Sequence, residues 1–270
     1  MEQTFQYKNS VSHYTKQGSG QAVVLLHGFG EDSTIFNNQV AVLAGVCEMI
    51  VPDLPGSGKS ALFIKDAEEK VSLVDYADWL HALLEHQNHK QIILMGHSMG
   101  GYIALAYAEK YGSNLKGFGL LHSTAFADNE EKKETRRKAI KIIENYGSYS
   151  FLKSMIPNLF GSGFKQHSPG AINELIEKGN SFSPQALVQY YQMMMERPDR
   201  TEVLKQLTIP ALFMVGTQDI AVPMNDLMQQ VHLPAISYVH ILQGVGHMGM
   251  LEAAAEFNKH LLKFVIDIKS

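Results

Sequence analysis

The sequence predicts an α/β protein in which a mainly parallel central sheet is flanked by helices and carries an inserted helical cap. Three observations predict it. Short, continuous apolar runs recur along the chain, amphipathic helical stretches separate most of them, and one long stretch, 123–207, holds no strand-like run. Continuous apolar runs suit strands buried on both faces, and their alternation with helices implies parallel pairing through crossovers.

The elements follow in order. The first twenty residues read as an antiparallel hairpin at the sheet edge. The run AVVLL at 22–26 is a strand that stops at His27-Gly28. A helical pattern covers 35–44, and the strand 46–51 stops at Pro52. A helix is expected over 73–86. The strand 92–95 stops at Gly96 and leads into a helix over 99–110. The strand 117–121 stops at His122. Helical patterns then fill 129–146, 149–155, 171–178, 184–197 and 199–207. The strand 211–215 stops at Gly216, a helix covers 224–231, the strand 237–242 stops before Gly244, and a last helix spans 253–266. The chain thus divides into a core of 1–122 and 208–270 and a helical cap of 123–207. Sites in open α/β sheets sit at the strand carboxyl ends, so the cap is expected to act as a lid there.

Composition narrows the function classes. The 270 residues are 45% hydrophobic and 19% charged, with a net charge of −4. That is ordinary globular composition, without the basic excess of a nucleic-acid binder. A single cysteine, Cys47, excludes an internal disulfide framework. Residues 1–10 are polar and lack the apolar stretch of a secretory signal, and no apolar run approaches the roughly 18 residues that span a bilayer. The expectation is a cytoplasmic protein that acts on a small molecule and has no nucleic-acid or membrane partner. No Cys/His cluster has zinc spacing, so neither a metal nor another cofactor is expected.

The segment Gly96-His97-Ser98-Met99-Gly100 reads G-x-S-x-G between a strand and a helix. So tight a turn needs small neighbours, which Gly96 and Gly100 supply, and it lifts the Ser98 hydroxyl above the sheet beside a helix N-terminus. A serine at its free pKa is a poor nucleophile and needs a base with an orienting acid. Asp219 lies past the strand 211–215, and His247 lies past 237–242 behind two glycines. The order Ser98, Asp219, His247 is the order that goes with this nucleophile turn. Asp128, beyond the strand ending at Leu121, is the rival acid. His97 adjoins the serine on a turn that points it elsewhere. Backbone N–H groups of Phe29, in the loop His27-Gly28-Phe29-Gly30, and of Met99 are the candidate oxyanion donors.

On the segments HGFG (27–30), DLPGSGKS (53–60), GHSMGG (96–101), GTQDIAVP (216–223) and GVGHMGMLE (244–252), the chain resembles the α/β-hydrolase superfamily. Within it, the chain looks most like small bacterial carboxylesterases and haloperoxidase-like serine hydrolases. The resemblance implies a Ser98–His247–Asp219 triad and a helical cap that shapes substrate choice. Serine at position 98 argues against the dehalogenase and epoxide hydrolase chemistry of an aspartate nucleophile. The expected function is a carboxylesterase for small or medium acyl esters. C–C bond hydrolysis, thioester hydrolysis, acyl transfer or perhydrolysis on the same triad remain open, as does a low-turnover receptor.

Other features carry less. Gly56-Ser57-Gly58-Lys59-Ser60 ends like a phosphate-binding loop, but the first glycine of that motif would fall on Asp53. The run EEKKETRRK at 130–138 reads as a solvated helix face, not a binding patch. Met193 to Met195 read chiefly as packing, with Met194 a candidate for an apolar pocket wall. His122 ends the strand beside that of Ser98 and is the second pocket candidate.

Overall fold

The computed structural model describes residues 1–65 and 70–269. Eight strands form one sheet: β1 (Glu2–Tyr7), β2 (Ser10–Gly18), β3 (Ala22–Leu26), β4 (Glu48–Pro52), β5 (Ile92–His97), β6 (Leu115–Leu121), β7 (Pro210–Gly216) and β8 (Ile236–Leu242). Their order is β1-β2-β4-β3-β5-β6-β7-β8. The expected edge hairpin is present: β1 pairs antiparallel with β2, and β2 antiparallel with β4. All other pairings are parallel. The apolar runs of β3 and β5 are buried along their whole length, as strands covered on both faces must be.

The core helices are α1 (Asn37–Leu43), α2 (Leu73–His86) and α3 (Met99–Tyr111). Four helices of eight or fewer residues and three longer ones follow: α4 (Glu130–Met155), α5 (Ser162–His167), α6 (Pro169–Lys178), α7 (Pro184–Glu196), α8 (Thr201–Gln206), α9 (Met224–Met228) and α10 (Gly249–Glu252). The last helix is α11 (Ala254–Lys269). The crossover from β3 to β4 runs one way along the sheet, and those through α2 and α3 run the other. With right-handed crossovers this puts α1 on one face and α2 and α3 on the other. Helix α11 packs beside α1, and α2 beside α3. Helix α2 starts where expected because Ser72 and Asp75 close a capping box. Trp79 lies wholly in the core and donates its indole N–H to Ser12.

Direction reverses at β3, with β4 on one side and β5 on the other. The crevice beyond such a reversal is where ligands bind in open α/β sheets. The registers Leu26↔Gly96, His97↔Leu121, Leu121↔Met214 and Gly216↔Leu242 align the strand ends. The loops carrying Phe29, Ser98, His122, Asp219 and His247 therefore share one rim of the sheet.

Between β6 and β7 the described chain is helical, α4 to α8. The break expected between 146 and 149 is a kink inside α4, where Gly147 takes φ +83°. Helix α5 has no counterpart in the sequence reading. The helical segment packs on the rim through aromatic rings. Phe29 stacks on Tyr191 at 4.2 Å and meets Phe151 and Tyr190 edge-on. The Tyr190 hydroxyl donates to the Pro55 carbonyl. Among the described residues no helix is long and apolar enough to cross a membrane.

Candidate active site

Ser98 sits between β5 and α3 with φ +50° and ψ −116°, a conformation costly for any residue with a Cβ. It persists because the surroundings fix it. The Ser98 N–H donates to Leu121 O, and the Ser98 carbonyl accepts from Gly101 N–H and the Ser123 hydroxyl. Small neighbours are a steric necessity. A Cβ on Gly96 would lie 2.2 Å from the Gly100 carbonyl carbon, and one on Gly100 would lie 2.3 Å from the Leu26 oxygen. As the first residue of α3, Met99 has an N–H with no acceptor inside the helix.

Asp219 and His247 meet across two loops. The His247 Nδ1–H donates to Asp219 Oδ2 at 2.8 Å and lies 3.0 Å from Oδ1. Asp219 Oδ1 also accepts the N–H groups of Ala221 and Val222, each at 2.9 Å. Oδ2 also accepts from His122 Nδ1 at 2.9 Å. Burial alone would raise the Asp219 pKa, but the two imidazoles outweigh it and hold the carboxyl far below its usual range. For His247, burial pulls the pKa down, yet the Asp219 charge and hydrogen bond prevail and leave it above the ordinary 6.5.

His122 differs from the sequence reading. It is fully buried behind Asp219 and is not among the residues lining the cavity beside Ser98. Its backbone, at φ +50°, turns the ring from the strand end back under the carboxylate. Here burial prevails, and its pKa is pushed down to about 4. The ring is neutral at pH 7, with the proton on Nδ1 and a buried Nε2 that lacks a partner. As pH falls, the unfolded chain protonates this histidine first, near 6.5, so stability present above that value drains away down to about 4. From pH 7 to pH 5 this group is expected to cost about 2 kcal/mol of unfolding free energy. Urea unfolding of the protein and of His122→Asn at the two pH values checks it. Equal pH dependence in both would remove the assignment.

A second acid–imidazole pair supports the rim. His97 Nδ1 lies 3.0 Å from Glu31 Oε2, and its Nε2 lies 2.9 Å from the His247 carbonyl. Glu31 also accepts the Gly28 N–H at 2.7 Å. Burial would raise the Glu31 pKa, but His97 and Gly28 keep it lowered. With an acceptor at each ring nitrogen, His97 ties the 27–31 loop to the loop of His247. The sequence reading missed Glu31, although it stands one residue past HGFG, and its partner lies 66 residues away.

Ser98 and His247 share a cavity of about 330 Å³ with Phe29, Glu31, Arg136 and Met194. Met194 is thus on its wall. The rival acid Asp128 is elsewhere, held by Arg136 Nε at 2.6 Å and Arg197 Nη1 at 2.9 Å. The loop 53–60 closes on itself: Asp53 accepts the N–H groups of Ser33 and Lys59, each at 2.9 Å, where a phosphate-binding loop would leave amides for its ligand. His122, Asp219 and His247 form the one group of possible metal ligands that is close enough among the described residues, with ligand atoms within 4.8 Å of one another. Hydrogen bonds between them already engage both Nδ1 atoms and the carboxylate.

A family model described as the alpha/beta hydrolase fold matches residues 21–254. The chain belongs to the alpha/beta hydrolase fold family. One solved structure similar to it is that of a thermophilic esterase from Thermogutta terrifontis with malate bound, 27% identical, with a TM-score of 0.91 and all of both chains covered. Pimeloyl-[acyl-carrier protein] methyl ester esterase of Wigglesworthia glossinidia brevipalpis is 28% identical over 77% of this chain and 79% of its own length. Cis-3-alkyl-4-alkyloxetan-2-one decarboxylase of Shewanella oneidensis is 25% identical over 96% of this chain and 86% of its own.

Proposed function

We propose that this alpha/beta hydrolase is a serine hydrolase that cleaves a small or medium acyl ester through an acyl-enzyme. The observation that carries the reading is the pairing of His247 with buried Asp219 at 2.8 Å, on a cavity that Ser98 also lines. The esterase names of two relatives support the same reaction class. The helical segment 123–207 serves as the cap over this cavity, and Met194 contributes to its apolar wall.

The steps follow from the groups. Asp219 holds the Nδ1 proton of His247, which leaves the Nε2 lone pair to act as base. Ser98 Oγ bonds to the ester carbonyl carbon as its proton passes to Nε2. The negative oxygen rests on the N–H groups of Phe29 and Met99. The C–O bond breaks, and the departing alcohol takes the proton from His247. Water then adds to the acyl carbon and gives a proton to His247. The acid leaves as that proton returns to Ser98.

The base must be neutral, and its pKa is raised, so activity is lost as pH falls through a value above 6.5. Chromogenic esters of graded acyl length, assayed from pH 5 to 9, test this. The acid limb of kcat/KM is expected to have its midpoint above 6.5, together with stoichiometric phosphonate labelling at Ser98. A flat profile to pH 5, or labelling without turnover of any ester, would overturn the reading.

A further inference from the structure

Helix α4 sends one cation of its charge run inward. Most of 130–138 is solvated, as expected, but the Arg136 side chain is only 18% exposed and lines the cavity shared by Ser98 and His247. Its Nε is spent on Asp128, and Nη2 reaches the same carboxylate only at 3.4 Å. Asp128 is fully buried and also receives Arg197. Arg197 is enclosed, with its guanidinium 3.9 Å from the centre of the Tyr102 ring and with N–H bonds to the Met194 and Phe126 carbonyls.

Two guanidinium groups therefore share one carboxylate, and among the described residues no other acid pairs with either. The cluster carries one surplus positive charge, and Arg136 is the member that faces the cavity. A guanidinium has five N–H donors, so Asp128 leaves Arg136 with donors for a second planar acceptor. Glu31, the single acid on the cavity wall among the described residues, is held by His97 and the Gly28 N–H. Much of the remaining wall is apolar, including Phe29, Met155, Leu159 and Val222. In such surroundings a half-satisfied cation favours an anion over water.

We propose that the ester substrate carries a free carboxylate, which Arg136 receives while Ser98 attacks the ester carbonyl. A cavity of about 330 Å³ admits only a small substrate, which points to the half-ester of a small dicarboxylic acid. This assignment rests on the serine hydrolase reading, since it supplies the ester half of the substrate.

The test compares monoethyl succinate, glutarate and adipate with the diethyl esters of the same acids, followed by proton release. A charge-assisted hydrogen bond contributes about 1.5–3 kcal/mol, so at least one monoester is expected to exceed its diester about tenfold or more in kcat/KM. In Arg136→Gln that ratio falls by a similar factor, carried by KM of the monoester, and Arg136→Lys restores part of it. No monoester preference, or equal losses on both ester classes, overturns the proposal. Glutarate binding against glutaramide binding, measured by calorimetry on the unaltered protein, provides a readout that needs neither variant folding nor turnover. Equal affinity for the two also overturns the proposal. Absence of hydrolysis on every ester with glutarate still preferred points instead to a failure of the catalytic reading alone.

Discussion

Replacing Ser98 with alanine is expected to lower kcat on an activated ester by on the order of 10⁶, the scale seen when one member of a serine triad is removed. The substitution deletes the one oxygen that forms the acyl bond and leaves the base, the acid and the cavity in place. The backbone at φ +50° is held by Leu121, Gly101 and Ser123 through the Ser98 N–H and carbonyl, not through the hydroxyl. Alanine meets the same backbone strain as serine, so stability should change by less than about 1 kcal/mol. Active-site titration with a phosphonate should fall to zero while thermal unfolding stays put. Retention of more than a hundredth of the activity would mean that another nucleophile acts.

Asp219→Asn is expected to lower kcat by about 10⁴ at neutral pH. The loss is argued from tautomers. Oδ1 takes two backbone N–H groups, so the amide oxygen of asparagine stays there and its NH2 replaces Oδ2. That NH2 then faces the Nδ1 atoms of both His122 and His247. Each ring must move its proton to Nε2, which removes the lone pair through which His247 acts. The anion that keeps the His247 pKa raised also disappears, so the acid limb should shift downward. A pH–rate profile beside that of the unaltered protein checks both effects. A large loss of rate with an unmoved acid limb would separate Asp219 from the titration of His247.

The parts of the molecule that were legible in the sequence are those written in local patterns. Strands β3, β5, β6 and β7 were found because strands buried on both faces must be apolar nearly throughout, whereas β8, half-buried at the sheet edge, was found from the run that ends before Gly244. Helix α2 was found end to end from its amphipathic pattern, and the Ser72 cap fixes the start that the pattern implied. Helix α5 was not, being six residues long with no buried side chain to set a period. Ser98, Asp219 and His247 stood out because strand ends and glycines flag such positions. His122 looked like a pocket residue because strand position alone does not reveal that φ is positive. Arg136 looked solvated because its partner Asp128 is itself held by Arg197, some 70 residues on, beyond the reach of any helical period. Glu31 was missed because its partner His97, expected only to point away from the serine, lies 66 residues on.

The backbone N–H of His247 donates to the carbonyl of Leu159 at 2.6 Å, and Glu252 beside it accepts the N–H of Gly161. The helical excursion is thus stitched to the very peptide that carries the imidazole. It cannot swing away as a rigid door without dislodging that ring. Grafting another family member's excursion onto this sheet would fail to preserve the imidazole's seat unless residues 244–252 travelled with it.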